Sequence, residues 1–277
     1  MCEQGNVAAM SIRVGHSADP DDAFMVWALG AGRVDTLGLE LEPVASDIQT
    51  LNEWALDGRL EVTALSAAAY SEVSSRYRLL PHGASFGEGY GPIVVARRPL
   101  DPDELRTLEI VTPGPLTTAS LVLHLALGDG YESRDLPFDR VVDEVVSGRA
   151  EAGLLIHEGQ LTYERLGLEK VFDLGEWWRR ETGLPLPLGV VAIRRDVERA
   201  EDVSSVLLAA IDAGLANRDE ALAYAREFGR GLDAATADEF VAMYVNDRTR
   251  DMGDTGRAAV AELLHRAGTS VAAEFVA

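Results

Sequence analysis

The sequence predicts an α/β protein with largely parallel sheets, because short apolar runs typical of buried strands alternate with segments of helical periodicity. Each strand-like run precedes a helix-like segment, and several of these segments end on a glycine, which is typical of a helix C-terminus. The 277 residues lie near the length at which a single core divides into two. One large domain and two lobes are both compatible with that length.

The individual elements follow from their apolar spacing. Runs with the composition of buried strands are SIRVG at 11–15, LEVTAL at 60–65, TLEIV at 107–111 and AGLLI at 152–156. Segments of helical periodicity are DDAFMVWALG at 21–30, SDIQTLNEWALDG at 46–58, TTASLVLHLALG at 117–128 and a long series from about residue 203 onward. This order predicts strand–helix units joined by short connections.

Two similar strand-like runs each end in a pair of arginines. GPIVVARRP covers residues 91–99 and LGVVAIRRD covers residues 188–196. If they are paired strands that cross between lobes, residues 1–97 and 188–277 form a discontinuous first lobe with the C-terminal helices, and residues 98–187 form the second lobe. Alternatively, strands rich in valine, isoleucine and alanine simply look alike.

The charge excludes several classes of partner. The chain has 46 Asp and Glu against 25 Lys and Arg, a formal charge of -21, so a phosphate backbone or an anionic membrane would be repelled. We therefore expect no nucleic-acid partner and no membrane partner. Lys170 is the only lysine, which together with the acidic excess indicates either salt adaptation or an arginine-favouring genome.

The cysteine content and the first residues indicate the compartment. Cys2 is the only cysteine, which excludes an intrachain disulfide and a metal site built on thiolates. Residues 1–9 have neither the basic nor the apolar region of an export signal, and no other run reaches the length of a membrane span. We expect a cytoplasmic protein in which residues 1–9 are a disordered extension or a misplaced start.

Polar residues follow the first strand-like run, where ligands gather in open α/β sheets. They are His16, Ser17, Asp19, Asp21 and Asp22. Capping of the next helix is the favoured role for most of these aspartates. A metal site is disfavoured because the segment lacks the spacing and the glycine of a calcium loop. His16, Ser17 and Asp19 are nevertheless candidate cleft residues.

Hydroxyl side chains follow the next two strand-like runs. Ser66 comes directly after LEVTAL, and Thr117 and Thr118 begin the helix after TLEIV. Each alone is weak evidence, because serine and threonine are common helix N-caps. Two such caps from different lobes would place hydroxyl and N–H groups around a ligand carboxylate or another oxygen-rich group. The pattern indicates a binding cleft.

The glycine-rich stretch LLPHGASFGEGYGPIVV at 79–95 does not predict a dinucleotide site. Its glycines lead into a strand, whereas the dinucleotide fingerprint follows a strand and opens a helix. A mobile wall of the cleft with His82, Phe86 and Tyr90 is the more plausible interpretation. We therefore add His82 and Gly83 to the candidate cleft residues.

The stretch GLLIHEGQ at 153–160 ends an apolar run on His157. The zinc-protease motif fails because Leu161 stands where the second histidine is needed. The sequence has no serine-hydrolase elbow, and Cys2 is too peripheral to be a nucleophile paired with a histidine. A neutral imidazole can accept a proton near pH 7, which suits a general base, although position alone slightly favours a structural histidine.

Several blocks of the sequence occur in an order typical of one enzyme family. They are HSADPDDAFM, EVTALS, LLPHGASFGEGYGPIVV, TPGPLTT, GLLIHEGQLTY, DLGEWW with GLPLPLG, and MYVNDRTRDMGDTGR. Together they resemble the 1,4-dihydroxy-6-naphthoate synthases of the futalosine route to menaquinone, over about residues 11–267. The departures are small, such as Ala18 in place of a common proline, and GVVAI after PLPLG, where the family often has an asparagine.

The resemblance implies a two-lobed fold like that of type II periplasmic binding proteins, with two hinge-crossing strands. It implies a carbon–carbon lyase that converts cyclic dehypoxanthine futalosine to 1,4-dihydroxy-6-naphthoate without a metal or a nucleotide cofactor. It also implies that His157 is the proton acceptor. The residues implied to contact the substrate are Thr117 and Thr118 in one lobe and Ala64, Leu65 and Ser66 in the other.

Two other functions are compatible with this fold. A solute-binding protein would need a cleft and an export signal but no base, so His157 and the first residues favour the enzyme. A chorismate dehydratase-type enzyme shares the architecture but should lack the HEGQ block. The sequence predicts neither the oligomeric state nor the residue that orients His157.

Overall fold

The structure of the protein, a computed structural model, describes residues 11–277, so the prediction for residues 1–9 lies outside the described part. The strands are β1 Ile12–Ser17, β2 Leu41–Ser46, β3 Val62–Ser66, β4 Tyr77–Leu79, β5 Ser85–Gly87, β6 Ile93–Ala96, β7 Glu109–Thr112, β8 Glu132–Asp135, β9 Ala152–Leu155, β10 Glu169–Asp173 and β11 Leu186–Arg194. The helices are α1 Pro20–Gly30, α2 Ile48–Leu56, α3 Tyr70–Val73, α4 Thr118–Leu127, α5 Phe138–Val146, α6 Gly159–Thr162, α7 Leu174–Thr182, α8 Ala200–Ala216, α9 Arg218–Ala225, α10 Ala234–Tyr244, α11 Asp247–Arg250 and α12 Gly253–Arg266. Among the residues from 11 onward, no helix is both long and apolar enough to cross a membrane.

The strands form two sheets. The first has the order β2-β1-β3-β11-β4, with β5 also paired to β11, and the second has the order β10-β6-β9-β7-β8. The strands that precede α1, α4 and α5 pair in parallel, as the strand–helix alternation predicts. The antiparallel pairs all involve β6 or β11. The α/β class is therefore confirmed, but the sheets are mixed, because these two strands enter from the opposite direction.

The predicted helix starts follow from capping. The Asp19 side chain accepts a hydrogen bond from the Asp22 N–H at the start of α1, and Pro20 occupies the first turn, where its missing N–H is tolerated. The Thr117 hydroxyl accepts from the Ser120 N–H in the same way at α4. Gly128 ends α4 with a φ of 70°, which glycine adopts readily. These caps place both helix N-termini at strand ends.

The two arginine-ended strands are not hydrogen-bonded to one another in the part of the chain described. β6 lies in the second sheet and β11 lies in the first, so they are not neighbouring strands of one sheet. A boundary after residue 97 would also separate β6 from its sheet, whereas β11 belongs to the first sheet as predicted. We propose that the chain crosses between lobes at residues 88–92 and 183–185, just before each strand.

The glycine-rich segment is packed closely against α7. A Cβ atom on Gly87 would clash with the Tyr90 carbonyl oxygen, and one on Gly175 would clash with the same peptide group. Only glycine permits this approach of two backbones. The Tyr90 hydroxyl donates to the Met243 carbonyl at 2.6 Å, and Phe86 is buried. Phe86 and Tyr90 are therefore held by contacts away from the cleft, although Gly83 and Ser85 of the same segment line it.

A shared core lies beneath both sheets. It includes Leu65 and Val190 from the first sheet and Val94 and Leu154 from the second. The Trp178 ring is fully buried in this core, and its N–H donates to the Pro185 carbonyl at 3.0 Å beside the return crossing. Continuous apolar packing of this kind fixes the two sheets relative to one another. The ends of β1, β3 and β9 are thereby held around one cleft.

Candidate active site

A cleft of about 660 Å³, counted with its open mouth, is lined by residues from both sheets. Every residue that the family resemblance assigns to catalysis or substrate contact lines it: Ala64, Leu65, Ser66, Thr117, Thr118 and His157. The candidates Ser17, Asp19 and Gly83 line it as well. The structure therefore brings these predicted residues together, although Ser17 and His157 are 140 residues apart, since 157 minus 17 is 140.

His16 and His82 lie outside this cleft, on a smaller cavity behind it. His16 Nδ1 is 3.0 Å from the Ser17 carbonyl oxygen, and His82 Nε2 is 2.9 Å from the Ser204 hydroxyl. Burial lowers the pKa of both imidazoles, that of His82 to about 4. Both are satisfied interior histidines, so the prediction that they line the cleft is wrong. Alternation along β1 explains His16, since it and Ser17 point to opposite faces.

His157 follows β9 and holds an unusual backbone conformation. Its φ is 52°, in the left-handed region that residues other than glycine adopt uncommonly and at some cost in energy. The conformation places Nδ1 2.8 Å from Asp19 Oδ2. The edge of the Phe138 ring meets the imidazole with centroids 4.8 Å apart. The ring is thus fixed on two sides.

The two imidazole nitrogens of His157 have different environments. Nδ1 is paired with Asp19, whereas Nε2 is buried and has no hydrogen-bond partner among the described residues. A carboxylate at Nδ1 holds the proton there in the neutral ring, which leaves the Nε2 lone pair free. The arrangement presents a proton acceptor with a defined tautomer.

Charge pairing dominates the protonation of this dyad. Burial lowers the pKa of His157, but the charge and the hydrogen bond of Asp19 outweigh it, so that the pKa is raised above its usual value. Burial favours the neutral form of Asp19, but His157 outweighs it and holds the Asp19 pKa well below its usual range. Asp19 therefore remains ionised beside an imidazole that binds its proton more tightly than a free histidine does.

Two further acids of α1 line the same cleft. Asp22 Oδ2 accepts from the Ser17 N–H at 2.7 Å, and Asp21 Oδ2 accepts from the Ser85 hydroxyl at 3.2 Å. Burial, followed by the charge of Asp19, raises the pKa of Asp22 to about 7 and raises that of Asp21 well above its usual range. The cluster therefore limits its negative charge by holding protons.

Asp19, Asp21 and His157 also offer donor atoms within 4.8 Å of one another. These residue types bind divalent cations in proteins. Here, however, the His157 Nδ1 is occupied by its hydrogen bond to Asp19 at 2.8 Å. The geometry fits a proton-sharing cluster better than a metal centre.

The opposite part of the cleft presents hydroxyl groups and the N-terminus of α4. Ser66 accepts from the Asn52 side-chain amide at 3.0 Å, which leaves its own hydrogen available to a ligand. Thr118 donates to the Leu188 carbonyl at 2.8 Å and accepts from the Ala68 N–H at 3.1 Å. The Thr118 hydroxyl thus links the second lobe to backbone of the first. Thr117 caps α4.

Sequence reasoning missed several polar residues of the cleft. Gln160 accepts from the Tyr244 hydroxyl at 3.0 Å, and both side chains line the cleft, as does Ser85. Gln160 stands three residues after His157 in the GLLIHEGQ stretch, which was the available signal. Ser85 and Tyr244 lie in blocks that carry the family resemblance, but no local pattern marks either as a cleft residue, because their packing partners are remote in sequence.

Arg230 joins the two sides of the cleft behind His157. Its guanidinium donates to the Ala18 carbonyl at 2.6 Å and to Glu158 Oε1 at 2.9 Å. It also lies 4.4 Å from the centroid of the Phe138 ring, the ring that contacts His157. One side chain therefore links the segment after β1, the segment after β9 and the support of the imidazole.

Several solved structures have the same architecture as this protein. A crystallised protein of Archaeoglobus fulgidus is 45% identical with a TM-score of 0.89, covering 93% of this chain and 97% of that one. The ligand-binding component of an ABC-type import system from Staphylococcus aureus has a TM-score of 0.69 at 11% identity, covering 94% and 92%. A Candida albicans protein described as having the generic periplasmic binding protein fold has a TM-score of 0.70 at 14% identity, covering 95% and 92%. The predicted periplasmic-binding-protein-like fold is confirmed.

Sequence comparison is more specific than the fold. A family model described as menaquinone biosynthesis matches residues 12–269. The chain is 42% identical over 259 residues to a 1,4-dihydroxy-6-naphthoate synthase of Thermus thermophilus, covering 93% of this chain and 94% of the relative. It is 35% identical over 272 residues to a protein of the same name from Streptomyces coelicolor, covering 94% of each. The chain therefore belongs to the 1,4-dihydroxy-6-naphthoate synthase family of menaquinone biosynthesis.

Proposed function

We propose that this protein is a carbon–carbon lyase that converts cyclic dehypoxanthine futalosine to 1,4-dihydroxy-6-naphthoate, with His157 as the general base. The names of the two relatives support the formation of 1,4-dihydroxy-6-naphthoate. The observation that carries the role of His157 is its pairing: Nδ1 is bound to an ionised Asp19, and Nε2 is left without a partner at the cleft. A lone pair in that position is where a substrate proton can be accepted.

The reaction begins in this proposal with removal of a carbon-bound proton of the sugar-derived ring. The Nε2 lone pair takes the proton, and the resulting imidazolium lies 2.8 Å from the Asp19 carboxylate. The same carboxylate that fixes the tautomer therefore stabilises the charged product of proton transfer. The raised pKa of His157, which Asp19 causes against the effect of burial, makes it a stronger base than a free histidine.

The substrate is held in this proposal by the parts of the cleft remote from the acids. The first N–H groups of α4 have no acceptor within the helix, and Thr118 and Ala119 line the cleft there. A substrate carboxylate is attracted to this helix N-terminus and repelled by the acidic cluster of α1, which sets its direction in the cleft. Ser66 donates from the other lobe, beside the apolar surface of Ala64 and Leu65.

The proposed reaction needs no metal and no nucleotide, and the partner of the protein is a small-molecule substrate. The acidic charge of -21 argues against nucleic acid and anionic membranes as partners. We place the reaction in the cytoplasm.

Replacement of His157 by Asn tests the general base. Asn keeps a similar size and some hydrogen bonding but cannot accept a proton near neutral pH. Turnover should fall by about 10²- to 10⁴-fold or more, whereas the affinity for the ligand should change little. Wild-type turnover should fall as the pH drops below the raised pKa of His157, because the imidazolium cannot accept a proton, and the variant should lack this acid limb.

The exposed His265 provides the matched control, since His265→Asn changes the same side chain on the surface of α12. Assays with both cyclic dehypoxanthine futalosine and chorismate distinguish the proposed enzyme from the dehydratase of the same fold. Conversion of chorismate alone would contradict the proposed reaction. Normal turnover by a folded His157→Asn would place the base elsewhere.

A further inference from the structure

Gln160 lies in the cleft beside His157, and the proposed reaction gives it no role. It belongs to α6, the helix that follows β9, and its backbone N–H donates to the His157 carbonyl at 3.2 Å. Its side chain lines the cleft, as do those of His157 and Tyr244. Gln160 is therefore at the end of the cleft where the proposed chemistry takes place.

The two ends of the Gln160 side-chain amide have different environments. The Tyr244 hydroxyl donates to Gln160 Oε1 at 3.0 Å, whereas the NH2 group has no hydrogen-bond partner among residues 11–277. A side-chain amide accepts at its oxygen and donates two hydrogens from its nitrogen. Because the oxygen is turned toward Tyr244, the nitrogen is the end left for a ligand. Its N–H groups are donors at every pH at which the protein is folded, since an amide does not titrate.

Tyr244 is held rigidly in the position from which it contacts Gln160. It is 3% exposed at the end of α10. The edges of two rings meet it, those of Tyr90 and Phe240, with centroids 5.8 Å and 5.1 Å away. A buried hydroxyl that loses its acceptor is costly, so the bond to Gln160 Oε1 is a stable part of the site. The bond joins α10 to the segment after a strand of the second sheet, and it fixes the orientation of the amide.

The direction of the substrate decides which of its groups meets this amide. In the proposed function, the substrate carboxylate lies at the N-terminus of α4, and the sugar-derived ring lies at His157, from which it loses a proton. Gln160 follows His157 in the same segment, so its NH2 group faces the sugar-derived ring rather than the carboxylate. The oxygen atoms of such a ring are hydrogen-bond acceptors that an amide N–H suits.

We propose that Gln160 donates a hydrogen bond from its side-chain NH2 group to an oxygen of the sugar-derived ring, and that Tyr244 positions Gln160 by holding Oε1. This inference rests on the proposed function. The accepting oxygen is present before the proton is removed, so the bond stabilises the bound substrate and the transition state alike. Its loss should therefore raise KM and leave kcat nearly unchanged.

Three variants separate the contact from its positioning. Gln160→Met keeps the length of the side chain but removes the donor, and we expect KM to rise by about 10- to 100-fold, the usual effect of leaving one polar group unpaired. Tyr244→Phe removes only the hydroxyl that orients the amide and should raise KM by less. The double variant should raise KM no more than Gln160→Met does, because Tyr244 acts through Gln160. Tyr163→Phe is the matched control, since the Tyr163 hydroxyl donates to Glu164 on the surface.

Calorimetric titration of cyclic dehypoxanthine futalosine into His157→Asn, with and without Gln160→Met, measures affinity in the absence of turnover. The added substitution should weaken binding by the same factor by which it raises KM. If wild type converts this compound but Gln160→Met leaves Kd and KM unchanged, the contact is refuted and the proposed function stands. A fall in kcat at unchanged KM would also overturn the proposal, since Gln160 would then act in the chemical step. Additive losses in the double variant would refute the role of Tyr244. If wild type neither binds nor converts the compound, the proposed function itself fails.

Discussion

Asp19→Asn should retain the N-cap of α1 but lower the pKa of His157. The Asn side-chain oxygen can still accept from the Asp22 N–H, so the helix cap is retained. The charge 2.8 Å from His157 Nδ1 is lost. What then remains is mainly the effect of burial, which lowers the pKa of the imidazole. The acid limb of turnover should therefore move from above the ordinary histidine pKa of about 6.5 to below it.

The size of the effect follows from the burial of the pair. Asp19 is 2% exposed and His157 is 15% exposed, and removal of one partner of a buried pair typically costs about 3–5 kcal/mol. We expect about 3 kcal/mol, because His157 can become neutral and avoid a buried unpaired charge. An Asn amide that donates to Nδ1 would also place the ring proton on Nε2. Turnover should then fall by about 10²- to 10⁴-fold, as expected for a base in the wrong tautomer.

Urea unfolding and kcat profiles between about pH 5 and pH 9, which brackets histidine titration, would measure both effects. The matched control is Asp101→Asn, because Asp101 also caps a helical segment but lies on the surface without a histidine partner. If Asp19→Asn keeps the wild-type acid limb and turnover, the ion pair does not control His157. If Asp101→Asn loses as much stability, the loss at Asp19 reflects capping alone.

Two further predictions concern closure and charge. Arg230→Ala should raise KM by roughly tenfold, because it removes charge-assisted hydrogen bonds to Ala18 and Glu158. The exposed Arg149, varied to Ala, is the control. If the kinetics of the two variants are the same, Arg230 does not hold the cleft closed. The melting temperature should rise with added salt, because screening over about 10 Å at 0.1 M weakens self-repulsion at a formal charge of -21. A flat or falling response would remove salt adaptation as the reason for the acidic surface.

The elements near the cleft were predictable because local spacing determines them. The runs before Ser66, Thr117 and His157 end where their apolar patterns stop, and the structure places these three residues around one cleft. The direction of β6 and β11 was not predictable in this way, because apolar composition is the same for parallel and antiparallel strands. Their antiparallel pairing depends on where the chain crosses between the sheets, which is a long-range property.

Asp19 shows why the most specific part of the site could not be derived from the sequence. Its pattern, an aspartate directly before Pro20, predicts a helix cap, and its Oδ1 atom does accept from the Asp22 N–H at 3.3 Å. A carboxylate has a second oxygen, however, and Oδ2 pairs with His157, which lies 138 residues later since 157 minus 19 is 138. The capping role of Asp19 therefore accounts for Oδ1 but does not predict the partner of Oδ2. The capping geometry fixes Asp19 just after β1, and this position allows it to hold the imidazole of His157, which follows a strand of the other sheet.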